Sequence, residues 1–170
     1  MNILRIVKLA DLFTAGNLCC GVMSIFASAN LQFGSAVLFI LLALVLDTLD
    51  GKVAKLMHQA NVFGKQLDSL ADLISFGVAP VVLYFLLREP GIGISLILVL
   101  FTVCGMFRLA RYNISEGEGF EGMPITVNGF IFPLLYLLYL YWPQTLAVWP
   151  ALFATLSVLM VSSLRFKRIV

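Results

Sequence analysis

Four aspartates form two closely spaced pairs between residues 47 and 72, and they account for four of the nine acidic residues in the chain. Asp47 and Asp50 are three positions apart and Asp68 and Asp72 are four apart, so on helices each pair shares one face. Four neighbouring carboxylates cannot all stay ionised without a counter-charge. Hard oxygen ligands suit Mg²⁺, Mn²⁺ or Ca²⁺. The pattern therefore favours a divalent-metal site over two helix ends with solvated aspartates.

Small and basic residues accompany these carboxylates. Gly51 and Ala54 share the helical face of the first pair, which would let a ligand approach the backbone closely, and Lys55 follows them. Metal ions held by carboxylates suit substitution at a phosphate, because two ions can stabilise the attacking and leaving oxygens of a displacement. A nearby carboxylate can also accept the proton of an alcohol. The expected chemistry is therefore transfer of a phosphate-linked group to a hydroxyl.

The same stretch resembles the signature of the CDP-alcohol phosphotransferase family, Asp-x2-Asp-Gly-x2-Ala-Arg-x8-Gly-x3-Asp-x3-Asp. This sequence matches every spacing from Asp47 to Asp72 and departs from the pattern once, with Lys55 where the family has arginine. Lysine keeps the charge but lacks the bidentate fork of arginine. The resemblance implies an enzyme that uses two divalent ions, in which an alcohol displaces CMP from a CDP-linked lipid.

The resemblance also implies a role for each matching residue. Asp47 and Asp68 would bridge both metal ions, and Asp50 would bind one of them. Asp72 would bind the other ion and act as the general base. The residues that would bind the CDP-lipid are Thr14, Asn17, Gly51, Ala54, Lys55 and Asn61. Assembly as a homodimer is implied in the same way.

The acceptor alcohol is indicated by residues further along the chain. Several stretches between residues 11 and 124 resemble the phosphatidylserine synthase branch of the family, among them Arg108-Leu-Ala-Arg111-Tyr112-Asn113. Arg108 and Arg111 share a helix face, and arginine is suited to gripping the carboxylate that L-serine carries. We therefore expect L-serine as the acceptor, with Arg111 favoured over Arg108 as its ligand. Anchoring of the helix end to lipid headgroups is the alternative role for this pair.

Two other functions fit the same residues less well. Within the family, glycerol phosphate or inositol phosphate could be the acceptor, although an acceptor that bears phosphate would favour a denser basic pocket. Outside it, acids in membrane helices also mark ion paths, so a divalent-cation transporter is the rival. A transporter would place its acids nearer the centre of the membrane. The sequence is equally compatible with diacylglycerol and with an ether-linked archaeal lipid as the lipid part of the CDP-linked donor.

The composition is that of an integral membrane protein. Hydrophobic residues make up 61% of the 170 residues and charged residues 12%, with a mean hydropathy of +1.03. A soluble domain carries about 25% charged residues. The length allows a single domain over residues 1–170. The sequence has no basic stripe with interleaved aromatic residues, which argues against a nucleic-acid partner.

Apolar runs and their breaks predict an all-α bundle of six membrane-spanning helices. A short amphipathic segment at residues 1–10 would lie in the membrane interface before the first helix. The uncharged run from Leu12 to Leu46 is too long for one span of about 20 residues, so it is divided at residues 30–34. The predicted helices are 12–29, 34–57, 63–87, 92–112, 125–141 and 150–164.

The basic residues predict the orientation. With six spans, all of the 11 lysines and arginines except Arg88 fall on the face that holds both termini. Loops rich in lysine and arginine stay in the cytoplasm. We therefore expect a protein of the cytoplasmic membrane with both termini and the aspartate cluster at the cytoplasmic face.

Overall fold

In the part of the chain that the structure describes, six apolar helices follow one another, as the sequence predicts. The computed structural model describes residues 8–57, 61–114, 120–163 and 165–166. Most of the predicted interfacial segment, residues 1–7, lies outside these ranges. The helices are α1 (Leu9–Ala29), α2 (Phe33–Leu56), α3 (Val62–Arg88), α4 (Ile92–Ile114), α5 (Ile125–Tyr141) and α6 (Pro143–Val161). All except α5 are long and apolar enough to cross a membrane.

Three of these helices depart from regular α geometry. In α3, the α-helical parts Val62–Asp72 and Ala79–Arg88 are joined by a π-helical turn, Leu73–Val78. Short 3₁₀ turns, Ile125–Val127 and Pro143–Val148, lead into the α-helical parts Asn128–Tyr141 and Trp149–Val161. Because of its turn, α6 begins at residue 143 and not at 150, the predicted start.

The helix boundaries coincide with local stop signals. The connection between α1 and α2 is Asn30 to Gln32, and Leu31 adopts a left-handed φ of 58°. The backbone N–H groups of Leu31 and Gln32 donate to the carbonyls of Ser28 and Ala27. These carbonyls lie at the end of α1 and have no partner within the helix. Glu89, at φ 46°, ends α3 just before Pro90. The turn between α1 and α2 confirms the predicted break within the uncharged run from Leu12 to Leu46.

Aromatic rings tie the second half of the bundle together. Phe132 of α5 stacks on Phe153 of α6 with ring centroids 4.4 Å apart, and Phe101 of α4 meets Phe153 edge to face at 4.9 Å. Tyr84 of α3 stacks on Trp149 of α6 at 5.5 Å. These fully buried rings hold the four helices α3, α4, α5 and α6 together. Helices α1 and α2 pack against each other beside this group.

A two-residue strand pair, absent from the predicted fold, joins two distant parts of the chain. β1 (Phe120–Glu121) pairs antiparallel with β2 (Arg165–Phe166). Nearby, the backbone N–H of Met123 donates to the carbonyl of Leu159 at 3.1 Å. The connection from α4 to α5 is thereby held against the C-terminal end of α6.

Candidate active site

Three of the predicted metal ligands converge at one end of the bundle. Carboxylate oxygens of Asp47 and Asp50 on α2 and of Asp68 on α3 lie within 4.8 Å of one another. Oδ1 of Asp68 is buried and has no hydrogen-bond partner among the described residues. Mg²⁺ and Mn²⁺ prefer several oxygen ligands that converge on one point. A buried carboxylate oxygen without a hydrogen-bond partner is free to be such a ligand. The residues of this cluster therefore fit a divalent cation.

Asp72 lies one turn beyond Asp68 on α3 and is the most deeply buried of the four, with only 4% of its surface exposed. Its carboxyl group is within hydrogen-bonding reach of the carboxyl group of Asp47. The structure thus brings all four aspartates together. The i, i+3 and i, i+4 spacings in the sequence are what aim each pair inward.

Helix α1 supplies hydrogen bonds to two of these carboxylates. The hydroxyl of Thr14 donates to Oδ2 of Asp50 at 2.8 Å. The amide of Asn17 donates from Nδ2 to Oδ1 of Asp72 at 3.1 Å. Both residues were expected to bind the CDP-lipid. In the structure their side chains bond the acidic cluster, and Thr14 also lines the cavity next to it.

A cavity of about 480 Å³ opens beside the cluster. At Gly51 an added Cβ would meet no atom within 4 Å, so the backbone of α2 is open to this space. Asn17 and Lys55 are not among the lining residues, and Lys55 is exposed near the end of α2. The other four predicted CDP-lipid ligands do line the cavity. Its walls are Ala10, Asp11, Thr14, Asp50, Gly51, Ala54, Asn61, Val62, Gly64, Lys65, Asp68 and Tyr112.

Asn61 has a second role besides lining the cavity. It is the N-cap of α3, and its Oδ1 accepts a hydrogen bond from the backbone N–H of Gly64 at 2.7 Å. Such a bond satisfies one of the amide groups left unpaired at a helix start. Asn61 therefore fixes where α3 begins, about two turns before Asp68, its first aspartate.

Arg108 lies beside the aspartates. It is 6% exposed, and its guanidinium group lies 5.4 Å from the centre of the Tyr112 ring. It interacts electrostatically with Asp72 and Asp68. Its Nε has no hydrogen-bond partner in the described part of the chain. A buried cation with an unused donor at the cluster is suited to receive an anionic group of a substrate.

Arg111 is engaged elsewhere. Its guanidinium group donates to the carbonyl oxygens of Met160, Val161 and Ser162, at 3.3, 3.2 and 3.0 Å. These are orphan carbonyls at the C-terminal end of α6, where a cation is also favoured by the helix dipole. Arg111, which was expected to be the better serine ligand, is thus bonded to the end of α6, whereas Arg108 lies beside the aspartates.

Three residues at the site were missed by the sequence reasoning. Lys65 donates from Nζ to the carbonyls of Tyr112 and Asn113 at 2.8 and 3.3 Å, and Nζ lies 4.5 Å from the Tyr112 ring centre. Asp11 lines the cavity and accepts a hydrogen bond from the backbone of Lys8. The third is Tyr112, which lines the cavity, and its i, i+4 spacing from Arg108 is a signal that could have identified it.

Comparison with known proteins gives a consistent result. The family model described as CDP-alcohol phosphatidyltransferase matches residues 7–165. The chain is 39% identical over 160 residues to the CDP-diacylglycerol–serine O-phosphatidyltransferase of Bacillus subtilis, covering 91% of this chain and 87% of that protein. It is 35% identical over 173 residues to the archaetidylserine synthase of Methanothermobacter thermautotrophicus, covering 99% and 73%. The chain belongs to the CDP-alcohol phosphatidyltransferase family.

Proposed function

We propose that this chain transfers a phosphatidyl group, or its ether-linked equivalent, from a CDP-linked lipid to the hydroxyl of L-serine and releases CMP. The observation that carries the proposal is the meeting of four aspartates and the buried Arg108 beside an open cavity at one end of an apolar bundle. The printed names of the relatives support serine as the acceptor, because they are serine O-phosphatidyltransferases and an archaetidylserine synthase.

Divalent ions would be held by Asp47, Asp50 and Asp68, with Asp72 as a further ligand. When bound, such ions would neutralise phosphate charge and stabilise the attacking and leaving oxygens. Gly51 and Ala54 leave room for the nucleotide in the cavity. Lys55 could reach a phosphate only from the rim, since it is exposed and outside the lining.

The chain's own residues account for the movement of the proton and the acceptor. Asp72 accepts the proton of the serine hydroxyl as the serine oxygen bonds to the phosphorus of the lipid-linked phosphate. The bond from that phosphorus to the CMP oxygen breaks in the same displacement. Arg108 holds the serine carboxylate, which a charge-assisted hydrogen bond from a buried guanidinium does well. Burial of both side chains excludes water from this corner of the site.

The alternatives fit these contacts less well. An acceptor that carries phosphate would need more cationic side chains, yet the one lysine in the cavity wall, Lys65, is bonded to two backbone carbonyls. A cation transporter would need its acids midway along the helices. Here Asp47 and Asp50 lie in the last third of α2, and Asp68 lies near the start of α3.

The membrane setting of the site is part of the proposal. The distribution of lysine and arginine supports a cytoplasmic location for the aspartate end, where the water-soluble acceptor serine would enter and the water-soluble product CMP would leave. A homodimer remains an expectation from the family resemblance.

The proposal is tested with purified protein in detergent and matched arginine variants. Arg108→Lys should raise the serine KM about tenfold or more, since a charge-assisted hydrogen bond contributes about 1.5–3 kcal/mol and about 1.4 kcal/mol is tenfold in binding. Arg111→Lys should lower thermal stability and leave the serine KM nearly unchanged. Ethanolamine, which lacks the carboxylate, should be a poor acceptor. A serine KM that responds only to Arg111→Lys would reassign the carboxylate site.

A further inference from the structure

We propose that Asn17 is a positioning residue that holds the carboxylate of Asp72, and that it does not touch the CDP-lipid. This inference rests on the proposed function, because it deepens the role of Asp72 in that site. It changes the assignment of Asn17 that the family resemblance implies. Three contacts between α1 and α3 carry it.

The first contact is the hydrogen bond from the Asn17 amide to Asp72. Asn17 is completely buried, is absent from the cavity wall, and donates to Oδ1 of Asp72 at 3.1 Å. The Nδ2 group of Asn17 is therefore already bonded to Asp72, and Asn17 does not border the cavity. Asp72 also faces the carboxyl of Asp47 and the charge of Arg108. The amide therefore selects one direction for a carboxylate that has competing neighbours.

The second contact fixes Asn17 itself. The hydroxyl of Ser75, also completely buried, donates to the backbone carbonyl of Asn17 at 3.0 Å. Ser75 lies three residues after Asp72, in the π-helical turn of α3. Two residues of α3 thus bond one residue of α1. Asp72 bonds the side chain of Asn17, and Ser75 bonds its main-chain carbonyl. The position of the amide relative to Asp72 is therefore fixed at two points.

The third observation is the close approach that makes this grip possible. A Cβ added to Gly21 would collide with Oγ of Ser75 and lie 2.9 Å from its Cα. Gly21 is one turn after Asn17 on α1, so the two helices approach each other closely next to the hydrogen bonds. Small residues allow such contact between membrane helices. The glycine lets Ser75 reach the Asn17 carbonyl.

A base must present one oxygen to the hydroxyl from which it takes a proton. Without the amide, the carboxylate of Asp72 can turn towards Arg108 or Asp47. At saturating divalent metal, substrate binding does not depend on that direction, because Arg108, the cavity and the cluster of Asp47, Asp50 and Asp68 are unchanged. Loss of the Asn17 amide should therefore act on kcat and leave binding intact.

The test uses Asn17→Ala and the nearly isosteric Asn17→Leu in the full-length protein. Both keep the backbone carbonyl that Ser75 bonds. We expect kcat to fall at least about tenfold, with the serine KM and the Kd for CDP-lipid within about twofold of the parent values. Ser24→Ala is the matched control, since Ser24 is buried on the same face of α1 and its hydroxyl has no partner among the described residues. It should leave kcat unchanged.

A second readout does not depend on turnover. In metal-free protein labelled at aspartate with ¹³C, the carboxylate infrared band that disappears in Asp72→Asn should shift in Asn17→Ala and stay in place in Ser24→Ala. This measurement stands even if the Asn17 variants are less stable, because it reports the hydrogen bond directly.

The outcomes separate this inference from the proposed function. A parent protein that releases no CMP with serine would overturn the proposed function, and the infrared shift would still decide the contact. An active parent whose Asn17 variants keep kcat but bind CDP-lipid more weakly would return Asn17 to the nucleotide site. An unshifted band, or an equal loss of kcat in Ser24→Ala, would also overturn the inference.

Discussion

At the scale of single residues, two polar side chains of α1 are directed at acidic side chains of neighbouring helices. Thr14 bonds Asp50 and Asn17 bonds Asp72, each across a helix interface. A carboxylate that must bind a cation benefits from such partners, because they fix its direction before the ion arrives. The two hydrogen bonds explain why a membrane helix carries buried threonine and asparagine.

The first residue-scale prediction concerns Thr14. Thr14→Val keeps the shape of the side chain and removes the hydrogen bond to Asp50. Loss of a partner of a metal ligand typically weakens metal affinity 10- to 100-fold, so the Kd for Mn²⁺ should rise about tenfold or more in electron paramagnetic resonance titrations. Thr48→Val is the control, since Thr48 bonds its own helix at Leu44 and is exposed. Equal Mn²⁺ affinity in the two variants would remove Thr14 from the metal site.

A second prediction concerns Gly51, whose Cβ position is open cavity. Gly51→Ala should not lower the melting temperature, because alanine in a helix interior is about 0.5–1 kcal/mol more favourable than glycine. The added methyl should nevertheless raise the Kd for CDP-lipid, since it occupies space proposed for the nucleotide. Gly34→Ala on the same helix, also free of contacts within 4 Å, should leave that Kd unchanged. Unchanged CDP-lipid binding in Gly51→Ala would move the nucleotide elsewhere.

At the scale of elements, the positions of the helices follow from the sequence, but their internal irregularities do not. Uncharged runs and turn residues give the helix boundaries to within a few residues, apart from the 3₁₀ start of α6. The π-helical turn after Asp72 depends on packing from other helices. There, Asn128 donates to the carbonyl of Phe76 at 3.4 Å and Ser75 bonds α1. The hydropathy pattern along one helix does not predict which residues of other helices will contact it.

The same reasoning applies to the site. The four aspartates were predictable because their spacing on each helix is local information. The partners of Asn17 and Arg111 were not, because they depend on how α1 and α6 are rotated against their neighbours. Arg108 and Arg111 are three residues apart, yet Arg108 faces the aspartates and Arg111 faces the end of α6.

Helix α3 gives the element-scale prediction, through its N-cap. Asn61→Ala removes the acceptor for the Gly64 N–H and should lower the free energy of unfolding by about 1 kcal/mol. Asn61→Asp keeps an acceptor and should retain the stability of the parent in thermal unfolding, while a carboxylate in the cavity wall should weaken binding of the anionic CDP-lipid. If Asn61→Asp loses as much stability as Asn61→Ala, the cap does not determine the stability of α3.

At the scale of the whole molecule, polar side chains of the helices are buried while many large apolar side chains face outward. On α1, Thr14, Asn17, Ser24 and Ser28 are buried, whereas Leu12 and Phe26 are 60% and 57% exposed. Water would disfavour the exposed apolar side chains, whereas hydrocarbon favours them and favours keeping polar side chains inside the bundle. The protein is therefore built to place an acidic, ligand-accessible end on an otherwise apolar bundle.

The most direct test of metal-assisted transfer to serine is to follow CMP and lipid-linked serine together in one reaction of purified protein with CDP-lipid and labelled serine. We predict equal amounts of the two products, loss of both in excess chelator, and recovery with Mg²⁺ or Mn²⁺. Asp47→Asn and Asp68→Asn should abolish both products. Full turnover in chelator, or CMP release without incorporation of serine, would contradict the account.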